Sequence, residues 1–356
     1  MGATYGVVIV GAGNIAAAHA HAVQQLPNAR LVGVASRTPD KAAAVAAVYG
    51  VKGYGSVAEA VADPDVHVVA VLTPSGAHLE PALAAVRAGK HVVVEKPIEV
   101  STARAEELVS AAEQAGVALG VIFMSRFADA NVELKRAVDR GDLGHLLQGN
   151  AVVPWFRDQA YYDSGAWRGT RLLDGGGALM NQAIHQVDLL LWVMGPVTEV
   201  FAYAGTLAHE RIEVEDTLVA SVRFANGALG QISAATSLWP GRPKLLEVYG
   251  SKGHVVVEDD AVKAVAFKES SVGSALRGLQ VASGATGGGT TVGTTGGASD
   301  PMAISFENHR RQYEEFFSAL DAGRAPAVDG REGMKAVRLI EAVYQSVAEG
   351  RAVRVG

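Results

Sequence analysis

Two side chains stand where chemistry would need them. Lys96 closes the run His91-Val92-Val93-Val94-Glu95-Lys96-Pro97, in which an apolar stretch ends on a charged pair and a proline. An amine at the mouth of a buried strand is partly desolvated, which lowers its pKa and suits it to proton traffic or to holding a hydroxyl. The plainer alternative pairs Glu95 with Lys96 as a surface ion pair. Pro97 also admits a cis peptide, which would aim Lys96 into a crevice. His185 lies in Asp174-Gly175-Gly176-Gly177-Ala178-Leu179-Met180-Asn181-Gln182-Ala183-Ile184-His185-Gln186-Val187-Asp188. On a helix Asn181, His185 and Asp188 fall at i, i+4 and i+7, on one face. A lone helical histidine is usually a satisfied core residue. Here the Asn one turn earlier and the glycines ahead of it point to a site.

A third stretch runs from Arg157 to Gly169 and mixes Tyr161, Tyr162 and Trp167 with Arg157, Asp158, Gln159 and Arg168. Rings that stack on sugar C–H faces, beside polar groups that meet hydroxyls, suit a carbohydrate, and Tyr161, Tyr162, Arg168 and Asn181 are the candidate substrate contacts. A packed aromatic loop without a ligand is the alternative.

The elements that must hold these residues start at Tyr5–Val10, an apolar β-branched strand, followed by Gly11-Ala12-Gly13-Asn14-Ile15-Ala16 and a helix over 15–25. In G-x-G-x-x-A, Gly11 permits the tight turn, Gly13 lets backbone approach a pyrophosphate, and Ala16 lets helix pack on strand. Phosphates would sit over the unpartnered N–H groups of the helix start. An ordinary β–turn–α join is the alternative. A second strand, 31–36, ends on Ser36-Arg37 with no acid before Asp40. NAD sites usually carry an acid there for the ribose 2′-OH. A hydroxyl and a guanidinium suit a 2′-phosphate, so NADP is favoured over NAD, although Arg37 stacking on adenine would also suit NAD. Ser56 to Glu59 forms a capping box. A third strand, 66–72, leads into Thr73-Pro74-Ser75-Gly76-Ala77-His78, at the edge where ligands bind. His78 reads as a structural or ribose-contacting residue. A helix over 101–115 and a strand over 117–123 end the alternation, which is that of a doubly wound parallel sheet.

Beyond it, a helix over 128–140 and a strand over 148–156 are followed by antiparallel patterning. Asn226-Gly227 joins strands 215–225 and 228–236, and strands 244–249, 253–258 and 261–267 extend the sheet. Residues 270–299, rich in Gly, Ser and Thr, read as a mobile loop. Helices close the chain at 303–320 and 330–348. Two domains, 1–124 and 125–356, are expected from 356 residues. A net charge of −6 argues against nucleic acid as a partner. The absence of an 18-residue apolar run, of signal-peptide regions and of cysteine gives the expectation of a cytoplasmic protein without disulfides. No metal ligands are assigned.

Together GAGNIA at 11–16, TPSGAH at 73–78, EKP at 95–97, WRG at 167–169, DGGGALMNQAIHQVD at 174–188 and EVYGSKG at 247–253 resemble the Gfo/Idh/MocA family of NAD(P)-dependent sugar and polyol oxidoreductases. The likeness is close to full length. It implies a Rossmann domain followed by an α/β domain with a large, mostly antiparallel sheet, nicotinamide between the domains, and a homodimer or homotetramer through that sheet. By position Lys96 and His185 match the family's catalytic pair. Gly11, Gly13, Asn14, Ile15, Ser36, Arg37, Thr73, Pro74, His78, Glu95, Lys96 and Pro97 match its cofactor side, and Trp167 and Arg168 a segment reaching the nicotinamide. Many members carry Asp where this chain has Asn181, which cannot accept a proton. The resemblance implies hydride transfer at a secondary alcohol of a cyclic sugar, inositol or sugar derivative. His185 would be the base, Lys96 would hold the reacting oxygen, and Asn181 would orient a neighbouring hydroxyl. Two alternatives are an NAD-dependent glycoside hydrolase working by transient oxidation, and a dinucleotide-binding sensor without turnover.

Overall fold

The computed structural model describes residues 4–280 and 306–356. The stretch expected to be a mobile loop lies outside the described residues from 281 onward, as does the expected start of a helix at 303. The part of that loop within them holds a short helix, Ser274–Gly278.

The described chain divides into two compact units that do not follow its order: 4–124, 172–175 and 306–337 in one, 125–171, 176–280 and 338–356 in the other. In the first, β1 (Tyr5–Val10), β2 (Ala29–Ala35), β3 (Lys52–Tyr54), β4 (Val68–Val71), β5 (His91–Val94) and β6 (Leu119–Val121) form one parallel sheet of order β3-β2-β1-β4-β5-β6. Apart from the short β3, its strands are near-continuous apolar runs because helices cover both faces, and Val7, Val8 and Ile9 are wholly buried. The linking helices are α1 (Ala16–Gln24), α2 (Pro39–Tyr49), α3 (Val57–Ala62), α4 (Leu79–Arg87) and α5 (Thr102–Ala115). The predicted caps are largely present. Ser56 Oγ accepts the Glu59 N–H at 3.1 Å, and the Glu59 carboxylate takes the Gly55 N–H rather than that of Ser56. Thr38 begins α2 without a side-chain cap, and its own N–H goes instead to Ser36 Oγ at 3.2 Å.

A helix from far along the chain completes this unit. In α10 (Glu307–Asp321), Tyr313, Phe316 and Phe317 enter the same core as Val7, Ile9, Ala20 and Val23. Residues 306–337 had been expected with the second half. The apolar face of α10 decides otherwise, because burying such a face contributes more than chain proximity does.

The second unit holds α6 (Asp129–Asp139), α7 (Gln159–Asp163), α8 (Ile184–Met194) and an eight-stranded sheet. In order along that sheet lie β13 (Ala261–Phe267), β12 (Gly253–Glu258), β11 (Leu245–Gly250), β7 (Leu146–Pro154), β10 (Leu229–Ala235), β9 (Thr217–Phe224), β8 (Val197–Gly205) and β14 (Val353–Arg354). Only β7 and β10 pair in parallel. Alternate residues of β9 are buried and exposed, as expected of a sheet with one covered face. The boundary between the units falls within α11 (Gly330–Glu349). No helix among the described residues is long and apolar enough to cross a membrane.

Candidate active site

In the first unit the loops after β1, β4 and β5 lie at the carboxyl edge of the sheet, where β1 and β4 mark the reversal of strand order. The two glycines of the first loop have different causes. Gly11 has φ +122°, and a Cβ there would lie 2.5 Å from the Leu72 carbonyl oxygen, so the fold itself demands glycine. Gly13 has ordinary φ, and a Cβ on it would meet no protein atom within 4 Å. No contact among the described residues needs glycine at 13. A pyrophosphate drawn close to the backbone would. The N-terminus of α1 beside it has no side-chain cap and no acid in its first turn, as suits an anion. These residues therefore fit a dinucleotide. Asn14 is exposed and Ile15 half-buried in the same turn, and at the end of β2 Ser36 is half-buried and Arg37 exposed.

The β4 and β5 loops are stiffened by polar contacts of their own. The Thr73 hydroxyl donates to Ala77 O at 2.7 Å, while Pro74 precedes a short turn over Ser75–Ala77. His78 is buried, with Nδ1 2.8 Å from Pro97 O and Nε2 2.8 Å from Thr73 O. Burial holds its pKa below the ordinary value, against the pull of those carbonyl oxygens. His78 thus ties the two loops together, in keeping with its structural reading. The Lys96–Pro97 peptide is cis, and Lys96 is half-buried just beyond β5.

Glu95 does not form the surface ion pair considered above. It is buried, Oε1 lies 3.0 Å from His19 Nε2 and 3.8 Å from His309 Nε2, and Oε2 accepts the Lys96 N–H at 3.0 Å. Burial raises its pKa, but the two imidazoles outweigh that and hold it well below the usual carboxylate range. A direct cofactor contact was expected for Glu95. Its carboxylate faces inward, to His19, His309 and the Lys96 N–H. His19, His309 and Tyr313 were missed by sequence reasoning, because histidines on two helices that far apart carry no local signal.

In the second unit the Arg157–Gly169 stretch is partly helical. Asp158 caps α7 by accepting the Tyr161 N–H at 2.8 Å. Tyr162, expected to meet substrate, is buried. Its hydroxyl lies 2.7 Å from Thr236 Oγ1 and its ring packs on His209, so its work is structural. Tyr161 is half-buried, with the Arg168 guanidinium 4.2 Å from its ring centre; the same guanidinium lies 4.7 Å from the Trp167 ring. Gln182 donates to Tyr161 Oη at 3.1 Å and to Asn181 Oδ1 at 2.7 Å, and accepts from Arg157 at 3.1 Å. Gln182 and buried Arg157 thus join Tyr161 and Asn181 in one polar cluster. Gln182 was overlooked, although an amide beside Asn181 was the available signal.

The helix carrying His185 is not regular. Residues Ala178–Ala183 form a π-helical turn, and α8 starts only at Ile184. Asn181 therefore lies on the π turn, while His185 and Asp188 lie on the α-helix that follows it. Such turns occur often at functional sites. Asp188 is committed elsewhere: its carboxylate accepts both prongs of the buried Arg126 guanidinium, at 2.7 and 2.8 Å. At least one of the glycines ahead of the turn answers to packing. A Cβ on Gly177 would lie 1.7 Å from Glu215 O. The Glu215 carboxylate straps the turn, accepting the N–H groups of Gly177 at 3.0 Å and Leu179 at 2.9 Å and the Tyr344 hydroxyl at 3.0 Å.

Comparison with known proteins agrees with the fold. Residues 5–123 match the oxidoreductase family with an NAD-binding Rossmann fold, and residues 131–256 match the GFO/IDH/MocA C-terminal domain. The WlbA dehydrogenase from Chromobacterium violaceum, solved with NADH and UDP-GlcNAcA, is 32% identical with a TM-score of 0.87, covering 99% of this chain and 96% of that one. The WlbA dehydrogenase from Bordetella pertussis, with the same ligands, is 30% identical with a TM-score of 0.87, over 99% and 98% of the two chains. Myo-inositol 2-dehydrogenase of Thermotoga maritima is 28% identical, over 98% of this chain and 97% of its own. The chain belongs to the Gfo/Idh/MocA family and is an NAD-binding oxidoreductase of that family.

Proposed function

We propose that the protein reversibly oxidises a secondary alcohol of a cyclic sugar, inositol or sugar derivative. The observation that carries this reading is the place of Lys96. It stands on the same carboxyl edge as the dinucleotide turn of β1, with β4 the one strand between. Bound nicotinamide supplies a hydride acceptor or donor. His185 takes the proton from the alcohol, being the side chain whose ordinary pKa lies nearest neutrality. Lys96 holds the reacting oxygen and stabilises its developing charge. Asn181, Tyr161 and Arg168 meet the other hydroxyls. The relatives named for NADH with UDP-GlcNAcA and for myo-inositol support both free and nucleotide-linked sugars as the substrate range.

For the cofactor, the lack of an acid at 36–37 supports NADP over NAD. Titration of the purified protein with both dinucleotides tests this, and tighter binding of NAD would retire the role given to Arg37. Tyr203, Val219 and Leu229, large apolar residues exposed on one face of the sheet of the second unit, support a homo-oligomer through that face.

A screen of sugars, inositols and sugar nucleotides, read by the absorbance of reduced cofactor, identifies the substrate. With it in hand, His185→Ala lowers turnover by about 10²–10⁴ while dinucleotide affinity holds. Near-normal turnover in that variant would end the assignment. Release of sugar from an aryl glycoside without net change in the cofactor would make the protein a hydrolase instead.

A further inference from the structure

A chain of buried polar groups in the first unit has no part in the proposed reaction. It joins three elements that meet only in the fold: His19 on α1, Glu95 after β5, and His309 and Tyr313 on α10. Its direction follows from the chemistry. An ionised Glu95 donates nothing, so the His19 Nε2 that lies 3.0 Å from Oε1 must carry the hydrogen. In a neutral ring Nδ1 is then an acceptor, and the Tyr313 hydroxyl 2.8 Å away donates to it. His309 Nε2 stands 3.8 Å from the same carboxylate oxygen. The donors run from Tyr313 to His19 to Glu95 Oε1, and Glu95 Oε2 is left for one partner, the backbone N–H of Lys96.

The surrounding backbone is held as well. The Glu95 N–H donates to Val71 O at 3.0 Å, Val94 O accepts from Ile122 N at 2.9 Å, and Pro97 O meets His78. The Lys96 N–H is held by a side chain whose own orientation is set by a network, as Pro97 O is held by the doubly bonded His78 ring. A buried carboxylate is costly to desolvate, and one kept for stability alone is often replaced by apolar packing without loss.

We propose that Glu95 is a positioning residue: His19, Tyr313 and His309 orient its carboxylate, and its Oε2 fixes the peptide that aims the Lys96 amine. The consequence for turnover rests on the dehydrogenase reading, whereas the effect on Lys96 itself does not.

The test uses full-length wild type, Glu95→Ala, Glu95→Gln and Tyr313→Phe. Trace acetylation with acetic anhydride across a pH series, followed by peptide mass mapping, reads the reactivity of Lys96 against exposed Lys52 and Lys263. In Glu95→Ala the Lys96 rate or its pH midpoint shifts, by roughly fivefold or more in rate, while the reference lysines and the NADH dissociation constant stay within about twofold. Glu95→Gln recovers most of the Lys96 behaviour, since its oxygen can accept the same N–H while His19 changes tautomer. Should Glu95→Ala not fold, Tyr313→Phe removes the donor at the head of the chain without opening a large cavity, and gives the same shift at smaller size. With a substrate known, kcat falls more than KM changes in Glu95→Ala. Lys96 labelling unchanged in Glu95→Ala (or, where it does not fold, in Tyr313→Phe), or Gln as poor as Ala, would overturn the proposal. So would a stoichiometric metal ion in the wild type that is lost on substitution, since the three donor atoms lie within 4.8 Å of one another. Labelling needs no substrate, so failure to find a sugar that turns over would leave this result standing.

Discussion

The loop edge of the first unit and the stretches 155–171 and 176–188 of the second hold many of their polar groups in opposite ways. In the first, His19, His78, Glu95 and Glu99 are buried and bonded within the unit, and each fixes a loop backbone or another side chain. In the second, Tyr161, Trp167, Arg168, Asn181, Gln182 and His185 are half-exposed, and Arg168 rests on two aromatic rings. Buried hydrogen bonds are costly to leave unmade, so they allow one geometry. Exposed stacking contacts contribute about 0.5–1 kcal/mol and allow several. On the function proposed above, the first region suits a ligand whose shape is constant, as a dinucleotide is, and the second one that varies.

The hardest test of that contrast is on the two glycines of the first turn. Gly11→Ala places a side chain at φ +122° and against Leu72 O, and lowers stability by about 3 kcal/mol or more in urea unfolding. Gly13→Ala leaves stability within about 0.5 kcal/mol but weakens dinucleotide binding roughly tenfold, about 1.4 kcal/mol. If both variants lose stability alike, position 13 is set by the fold and the dinucleotide argument weakens. In the second unit the corresponding fixed point is Glu215. Glu215→Ala strands two buried N–H groups and the Tyr344 hydroxyl, and lowers stability by about 2–4 kcal/mol, measured the same way. A smaller loss would mean that the π turn stands without its strap.

Acid should act mainly through the first region. Burial lowers the folded pKa of His19, against the pull of Glu95, and lowers those of His78 and His91 as well. Between the folded value and the unfolded value near 6.5 the unfolded chain binds more protons, so stability is full above about pH 6.5 and falls as pH drops below it. Each such histidine contributes at most about 1.4 kcal/mol per pH unit. Urea midpoints measured from about pH 7.5 down to about pH 5.5 should fall, with a shallower slope in His19→Gln. A flat profile would mean that these rings are not held neutral.

The sequence exposed the first region well because its causes are local. Five short apolar strands, Gly11 and the Ser56 cap each act within a few residues, whereas β3, three residues with two of them exposed, carried no such signal. What stayed hidden depends on distant partners. Tyr313 meets His19 across 294 residues of chain, and Glu215 meets Gly177 across 38. In the second region the start of the helix differs from its sequence reading, since i, i+4 spacing presumes α geometry and the chain from Ala178 to Ala183 takes a π turn. Tyr161 and Tyr162 look alike in sequence, yet only burial separates the ring on Arg168 from the one bonded to Thr236.

The mildest variant bears on the adaptable side of the contrast. The Arg168 guanidinium lies 4.2 Å from the Tyr161 ring centre and 4.7 Å from that of Trp167, and a planar guanidinium stacks on rings in a way a lysine ammonium cannot copy. Arg168→Lys keeps the charge and loses the stacking, so KM for the sugar should rise by roughly two- to fivefold, corresponding to about 0.5–1 kcal/mol. In steady-state kinetics on whichever substrate the screen identifies, kcat should change less than KM, because a contact to a remote hydroxyl serves ground state and transition state alike. A loss of about 10²-fold in kcat at unchanged KM would show that Arg168 acts on the reacting atoms. The second region would then be as finely fixed as the first, and substrate range among relatives would have to come from other residues.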